Sequence, residues 1–454
     1  MKMKSKLLKI SAIVLVLLML IVFVVFIFIQ RNAGKLLDDY LQAYLSKSEI
    51  SQVYDIQFDE IGVRPISGKI KLKGLKIKPR DSFFTSSDSL RFRHPLLFDI
   101  EVDKILIAGL IKNLSFRPEE VSLKTIKIQS PDIKIINHLS ENEKAFLGSK
   151  TGQNKKKALS NQILLPQLNL KILSISNGRF EMIDRNTNNS LVSIEGIDVH
   201  GNDIVIAQEN ETFALNEFFN DLTINLSEIS YPTKNGFYLL SLKNIELDLA
   251  RAAIKANDFK LIPQFSIKEF GVKSGKQTDR MDLSVKNIAI RQIDFDRWLA
   301  QNEIWIDEIV VHHVYLDIFR DKNVPRDLTV FPKLPHQQLA ALDVGVNIGK
   351  LGIYEAEILY QELMPGAAEP GMVVLSDLEG SLLNISNIAS VKNPDDHMQW
   401  MINGTLYKEG KFEVTVDFSA DQPSGDFSFY GMMGEMDMSA FNQILVPNEH
   451  IRID

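Results

Sequence analysis

GKIKLKGLKIKP, residues 68–79, sets five lysines among four large aliphatic residues. Ile70 and Leu72 alternate with lysine, Gly74 interrupts, and the aliphatic phase restarts at Leu75 and Ile77. Strict alternation buries one face of a strand. One extra residue turns the second half onto the other face unless a bulge or tight turn absorbs it, and glycine suits both. With h for an apolar residue, the pattern is hxhxxhxh. It returns as IEVDKILI (100–107), VSLKTIKI (121–128), LNLKILSI (168–175), VSIEGIDV (192–199) and LSLKNIEL (240–247). FSIKEFGV (265–272), LSVKNIAI (283–290), IWIDEIVV (304–311) and VNIGKLGI (346–353) complete ten matches. VVLSDLEG (373–380) fails only at its last position, and INLSEIS (224–230) begins the pattern.

A register of roughly 20–25 residues accommodates one such octad plus a return strand and its turns. NGRFEMIDRN, VYLDIFRDKN and AEILYQEL read as those returns, which predicts antiparallel strands stacked along one axis. Helix signals past the N-terminal region are few; DFDRWLAQNE (294–303) is one short helix or turn. The charged stretch 138–161 has no β period and reads as a loop insertion.

The N-terminus reads differently. Lys2, Lys4, Lys6 and Lys9 precede an apolar run from Ile10 to Ile29 in which only Ser11 is polar. Twenty helical residues span about 30 Å, the thickness of a bilayer core. The run is longer than a signal-peptide core and is followed by QRNAGK, so it reads as an uncleaved anchor. The positive flank predicts a cytoplasmic N-terminus with the rest exported. The expected division is a basic tail at 1–9, a transmembrane anchor at 10–30, an amphipathic capping helix at 31–48, and a β body over 49–454. The capping helix rests on GKLLDDYLQAYL, with apolar residues at helical spacing.

Chemistry is sparse. The 454 residues include no cysteine, which excludes a disulfide framework, a Cys-based zinc site and a Cys nucleophile. A net charge of −7 argues against a nucleic-acid binder. No HExxH, GxSxG or GxGxxG occurs, and GVKSGKQT (271–278) misses both the glycine spacing and the Ser/Thr of a phosphate loop. Adjacent His312 and His313 should point to opposite faces of a strand, which argues against shared metal ligation. The chain is therefore read as no enzyme, with neither metal nor cofactor.

What remains is a stack of strands, each with one aliphatic face. Those faces either line an open apolar trough or pack into a closed core, and periodicity cannot separate the two. If a trough forms, its lining includes Ile70, Leu72, Leu75, Ile77, Leu123, Leu170, Ile194, Leu242, Ile267, Val285, Ile306 and Ile348. The basic residues Lys69, Lys71, Lys73, Lys76, Lys78 and Arg80 form either a solvated face or a contact for anionic lipid.

The order of parts resembles the AsmA-like family of envelope proteins, which includes TamB-like members and is related to chorein-type bridge lipid-transfer proteins. The likeness rests on the anchor, GKLLDDYLQAYL, the opening VYDIQFDEIGVRPISGKIKLKGLKIKP, and the units at 165–186 and 302–323. The resemblance implies a mainly β fold: an elongated, twisted repeat β-groove, open and taco-like, behind one transmembrane helix and a short amphipathic helix. It also implies a bacterial inner-membrane protein with its bulk in the periplasm. Its expected role is phospholipid transfer or outer-membrane lipid homeostasis, with phospholipid or another acyl-chain lipid as cargo, the inner membrane and other envelope proteins as partners, and no nucleic acid. The alternative is a non-transporting envelope-assembly scaffold or regulator with a closed β core. FSFYGMMGEMDMSAFNQILVPNEHIRID (427–454) begins what looks like another strand, so the protein is short or the chain is incomplete at its C-terminus.

Overall fold

The computed structural model describes residues 53–64, 68–85, 94, 96–109, 120–139, 167–206, 221–329, 331, 333–388, 398–418 and 425–454. These form two compact units, divided between Ser227 and Glu228. Both are mainly β.

The first unit holds β1 (Tyr54–Gln57), β2 (Glu60–Arg64), β3 (Lys69–Pro79), β4 (Leu96–Ala108), β5 (Glu120–Asn137), β6 (Gln167–Asp184) and β7 (Asn189–Ile206), and it ends within β8 (Asp221–Pro232). β1 and β2 both pair with β3, and the ladder runs on through β4, β5, β6 and β7. One end is closed by α1 (Asp81–Phe84), whose Phe83 is buried with Val53 and Leu97.

The second unit continues with β9 (Tyr238–Asp248), β10 (Ala253–Pro263), β11 (Arg280–Ile293), β12 (Glu303–Asp321), β13 (Gly345–Leu363), β14 (Gly371–Ser386), β15 (Met398–Leu406), β16 (Gly410–Phe418) and β17 (Phe427–Met433). They pair in chain order. Four short helices accompany them: α2 (Ile267–Ser274), α3 (Phe295–Gln301), α4 (Pro335–Ala340) and α5 (Asn442–Glu449), the last preceded by a 3-10 turn at Met438–Phe441.

Nine of the ten octads lie in strands, and the extra residue is absorbed as a kink. In β12 and β13 the register passes from Ile306↔Ile348 to Glu308↔Lys350, and from His312↔Tyr354 to Val314↔Ala356. Asp307 thus lies opposite Gly349, and His313 opposite Glu355. His313 and Glu355 both adopt left-handed φ, 54° and 55°. The first unit repeats the device with Ser130 and Asn177, at 48° and 52°, skipped in the β5–β6 ladder. In these two parallel ladders the kinks of the paired strands coincide, so both strands gain a residue without slipping register; the antiparallel ladders β6–β7 and β13–β14 shift register at the kinks of Asn177 and Glu355. The buried face survives both kinks: Leu123, then Ile126 and Ile128, then Ile133 and Ile135 in β5, and Leu170, then Leu173 and Ile175, then Phe180 and Met182 in β6. At Gly74, φ is +60° and an added Cβ would meet the Asp59 carboxylate, so the left-handed backbone favours glycine there.

Several expectations are corrected. The return segments are not separate strands: 177–184, 314–321 and 356–363 continue β6, β12 and β13 beyond the second kink. A single left-handed residue bends a strand, whereas reversal takes a turn of two or more residues. Nor is the stack wholly antiparallel, since β5–β6 and β12–β13 are parallel. Each parallel pair follows a long connection, 138–166 and 322–344, as parallel pairing demands. The insertion expected at 138–161 falls in the first of these and, beyond residue 139, lies outside the described residues.

FSIKEFGV is helical from Ile267 on. Ser266 and Glu269 form a reciprocal capping box, Phe270 and Gly271 are buried, and Gly275 closes the C-terminus at φ 70°. Two helix-end signals outweigh an apolar pattern that fits either period. The C-terminal stretch supplies one strand, β17, and then turns into the 3-10 turn and α5 rather than more β structure.

The closed β core is corrected as well, because the described ladders are open. So is the preceding transmembrane helix, and with it the single-pass inner-membrane topology, cytoplasmic N-terminus and periplasmic bulk that both functional readings assumed. Among the described residues no helix is long and apolar enough to cross a membrane. The stretches 1–9, 10–30 and 31–48 that carried those expectations lie outside the described residues.

Candidate ligand-binding face

Ladder partners share a face, so registers can be followed across the sheet. In the second unit one row runs Leu247–Ile254–Ile290–Ile309–Leu351–Leu382–Trp400–Val416–Phe429, apolar on every strand from β9 to β17. A second runs Leu240–Leu261–Leu283–Leu316–Ile358–Leu375–Leu406. The first row is half-buried from Leu247 to Val416 and exposed at Phe429. In the first unit the row Leu72–Ile105–Ile128–Ile175–Val199 is buried throughout. The second unit therefore offers a lane of apolar side chains that solvent, or a ligand, can reach.

The margin of the sheet beyond the second row is charged. Two residues beyond Ile318, on the same face, Arg320 makes two 2.6 Å bonds to the Asp279 carboxylate. Lys322 Nζ lies 3.2 Å from Glu362, which also accepts a 2.6 Å bond from the Tyr360 hydroxyl. Burial and that bond push the Tyr360 pKa up to about 12, so the phenol keeps its proton. The Tyr238 hydroxyl donates to the Asp279 backbone carbonyl at 3.1 Å. Behind it, α2 seats Phe270 against Phe237 and Tyr238, with centroids 5.0 and 5.5 Å apart.

At the opposite margin α4 sets His336 onto Phe418, ring centroids 5.0 Å apart, and Phe418 meets Trp400 edge-on at 5.0 Å. His336 is 1% exposed, and neither ring nitrogen has a hydrogen-bond partner; the buried Trp400 Nε1 also lacks one. Burial lowers the His336 pKa from its ordinary value of 6.5. The unfolded chain then takes up a proton that the folded chain resists, so stability is full above about pH 6.5 and declines as pH falls below it. His336→Leu is expected to abolish that acid sensitivity and to add about 1 kcal/mol at neutral pH by removing two unpartnered nitrogens. Thermal unfolding across the acid range checks this: parallel pH profiles for the two proteins would refute it.

The residues singled out from sequence fall into three groups. Ile70, Leu72, Leu75, Leu123 and Leu170 are buried on the apolar face of the first unit, with Ile77 and Ile194 half-buried. In the second unit Val285 is buried, while Leu242, Ile306 and Ile348 are half-buried. Ile306 and Ile348 pair directly, and Val285 pairs with Val314. Ile267 is not on the face at all: it is 42% exposed on α2. The long row runs instead through the sixth octad position, Ile309 and Leu351, which the residues singled out from sequence include only in the first octad, at Leu75.

Among the basic residues, Lys71 and Lys73 converge on Glu60, Lys78 pairs with Glu101 at 2.6 Å, and Arg80 reaches Asp55 at 3.4 Å. Lys69 and Lys76 are exposed. The strip is thus laced with carboxylates on neighbouring strands. His312 and His313 depart from expectation: the kink turns both Nδ1 atoms toward one Glu355 oxygen, at 3.7 and 3.0 Å. Among the described residues no group of three metal-binding side chains forms. No family model and no curated protein matches the chain.

Proposed function

We propose that the second unit holds the acyl chains of a phospholipid or another amphiphile along the apolar rows of its sheet. The observation that carries this reading is the row from Leu247 to Phe429, uncharged on nine strands and half-buried over eight of them. Strands about 4.8 Å apart make that row roughly 38 Å long. One leaflet of a bilayer core is about 15 Å thick, so an extended acyl chain fits the lane with room to move along it. A neutral cluster of two cations and two carboxylates beyond the second row would suit a head group that carries both charges or neither. The reading agrees with the resemblance to AsmA-like proteins, and it assigns the chain binding rather than catalysis. Native mass spectrometry of the full chain tests it. Phospholipid-sized additions are expected on the protein as isolated from cells, and a protein that carries none, before or after incubation with phospholipid vesicles, would refute it.

A further inference from the structure

β17 is the most exposed strand among the described residues. All seven of its positions are exposed, including Phe427, Phe429, Tyr430, Met432 and Met433 at 51–65%. Its described partner is β16, on one side. Residues 434–454 do not cover the other side. Gly434 N–H bonds back to Lys411, Met436 reaches Gly410, Phe441 stacks edge-on with Tyr407 at 5.5 Å, and Asn448 of α5 lies against Gly371 of β14. The C-terminal segment thus crosses the ends of β16, β15 and β14, away from the edge. Natural proteins blunt such an edge with lysine, proline or a bulge. FSFYGMM has none of these and no charge.

We propose that this edge pairs with β17 of a second copy, antiparallel and centred on Tyr430. The sequence is self-complementary in that register. Phe427 meets Met433, Ser428 meets Met432, and Phe429 covers Gly431, the cross-strand arrangement in which an aromatic ring shields a glycine. The flanking acids do not oppose one another: Asp426 faces Gly434, and Glu435 faces Gly425. A two-fold axis normal to the sheet keeps the same face of both copies on one side. The row ending at Phe429 then runs on into the second copy, doubling the lane. Dimerisation at this edge does not depend on the lane holding lipid, so either idea can fail alone.

The chain has no cysteine, so one introduced thiol reports on one position. In the full-length protein Tyr430→Cys is expected to form a disulfide-linked dimer under mild oxidation. Residues paired across antiparallel strands have Cα atoms about 4.5–5.5 Å apart, within disulfide range. Ser428→Cys, which faces Met432, is expected to crosslink at least about tenfold more slowly. Met432→Lys should weaken self-association by about tenfold or more while leaving the thermal unfolding midpoint unchanged, because the side chain is already in solvent. This variant also separates edge pairing from association through the apolar run at 10–29. The proposal is overturned by a protein that stays monomeric, by equal crosslinking at 428 and 430, by self-association that Met432→Lys leaves intact, or by another protein held at this strand in place of a second copy.

Discussion

Leu351→Arg is expected to strip the protein of bound lipid while leaving it folded, and Leu170→Arg to unfold it. Both leucines belong to the octad repeat and both lie on the apolar face. Leu170 is 1% exposed among Leu123, Ile204 and their neighbours. An arginine there buries an unpaired charge, at a cost of about 4 kcal/mol or more, a large share of the stability of any domain. Leu351 lies in the half-buried lane between Ile309 and Leu382. The long arginine stem can lie along the lane with its head in water, so the expected cost is about 1 kcal/mol. The same head occupies space that acyl chains need. Ile267→Arg, on exposed α2, is the control and should change stability by less than about 0.5 kcal/mol. Denaturant unfolding together with lipid content reads all three. Equal destabilisation at 170 and 351 would mean that the lane is packed core.

The second large effect is expected at Arg320. Its guanidinium holds Asp279 by two short bonds, and its side chain is 37% exposed against 25% for Asp279. That hydrogen bond raises the Arg320 pKa further, so the charge is permanent. Arg320→Ala leaves the partly buried Asp279 carboxylate without its fork. After allowance for solvent access the loss should be about 2 kcal/mol. Arg320→Lys should recover less than half of it, because an ammonium cannot make both bonds at once. If this margin also seats the head group, either variant weakens retention of phospholipid more than retention of an uncharged long-chain alcohol. Equal loss of the two ligands would confine Arg320 to a structural role.

The repeat was legible because burial on one face leaves a period in the sequence, and the extra residue of the octad pointed to a bend at a definite place. What became of that bend was not legible. LSISNGRF contains Asn177-Gly178, a strong turn signal read alone. Asn177 nevertheless kinks a strand that continues to Asp184, because its neighbour kinks at the same level and the ladder resumes on both sides. That depends on a strand 47 residues away and cannot be seen locally. The helix at 267–274 could have been found, since Ser266-x-x-Glu269 and Gly275 are helix-end signals that an apolar octad hides. The choice between buried and reachable faces was invisible. Leu170 and Leu351 both occupy apolar octad positions and both have apolar partners on either side, yet Leu170 is buried and Leu351 half-buried. The charged margin was missed for a related reason: Asp279, Arg320 and Glu362 lie about 40 residues apart and meet only through the pairing of β11, β12 and β13.

The most direct test of the lane uses two adjacent positions. Ile309 belongs to the nine-strand row, and Val310, the next residue on β12, faces the opposite side of the sheet. A photoreactive amino acid at each, in folded full-length protein incubated with radiolabelled phospholipid, samples the two faces from nearly the same point. A lane that holds acyl chains predicts strong lipid adducts from 309 and background from 310. Equal labelling at the two sites, or none at 309 in protein shown to be folded, would contradict it.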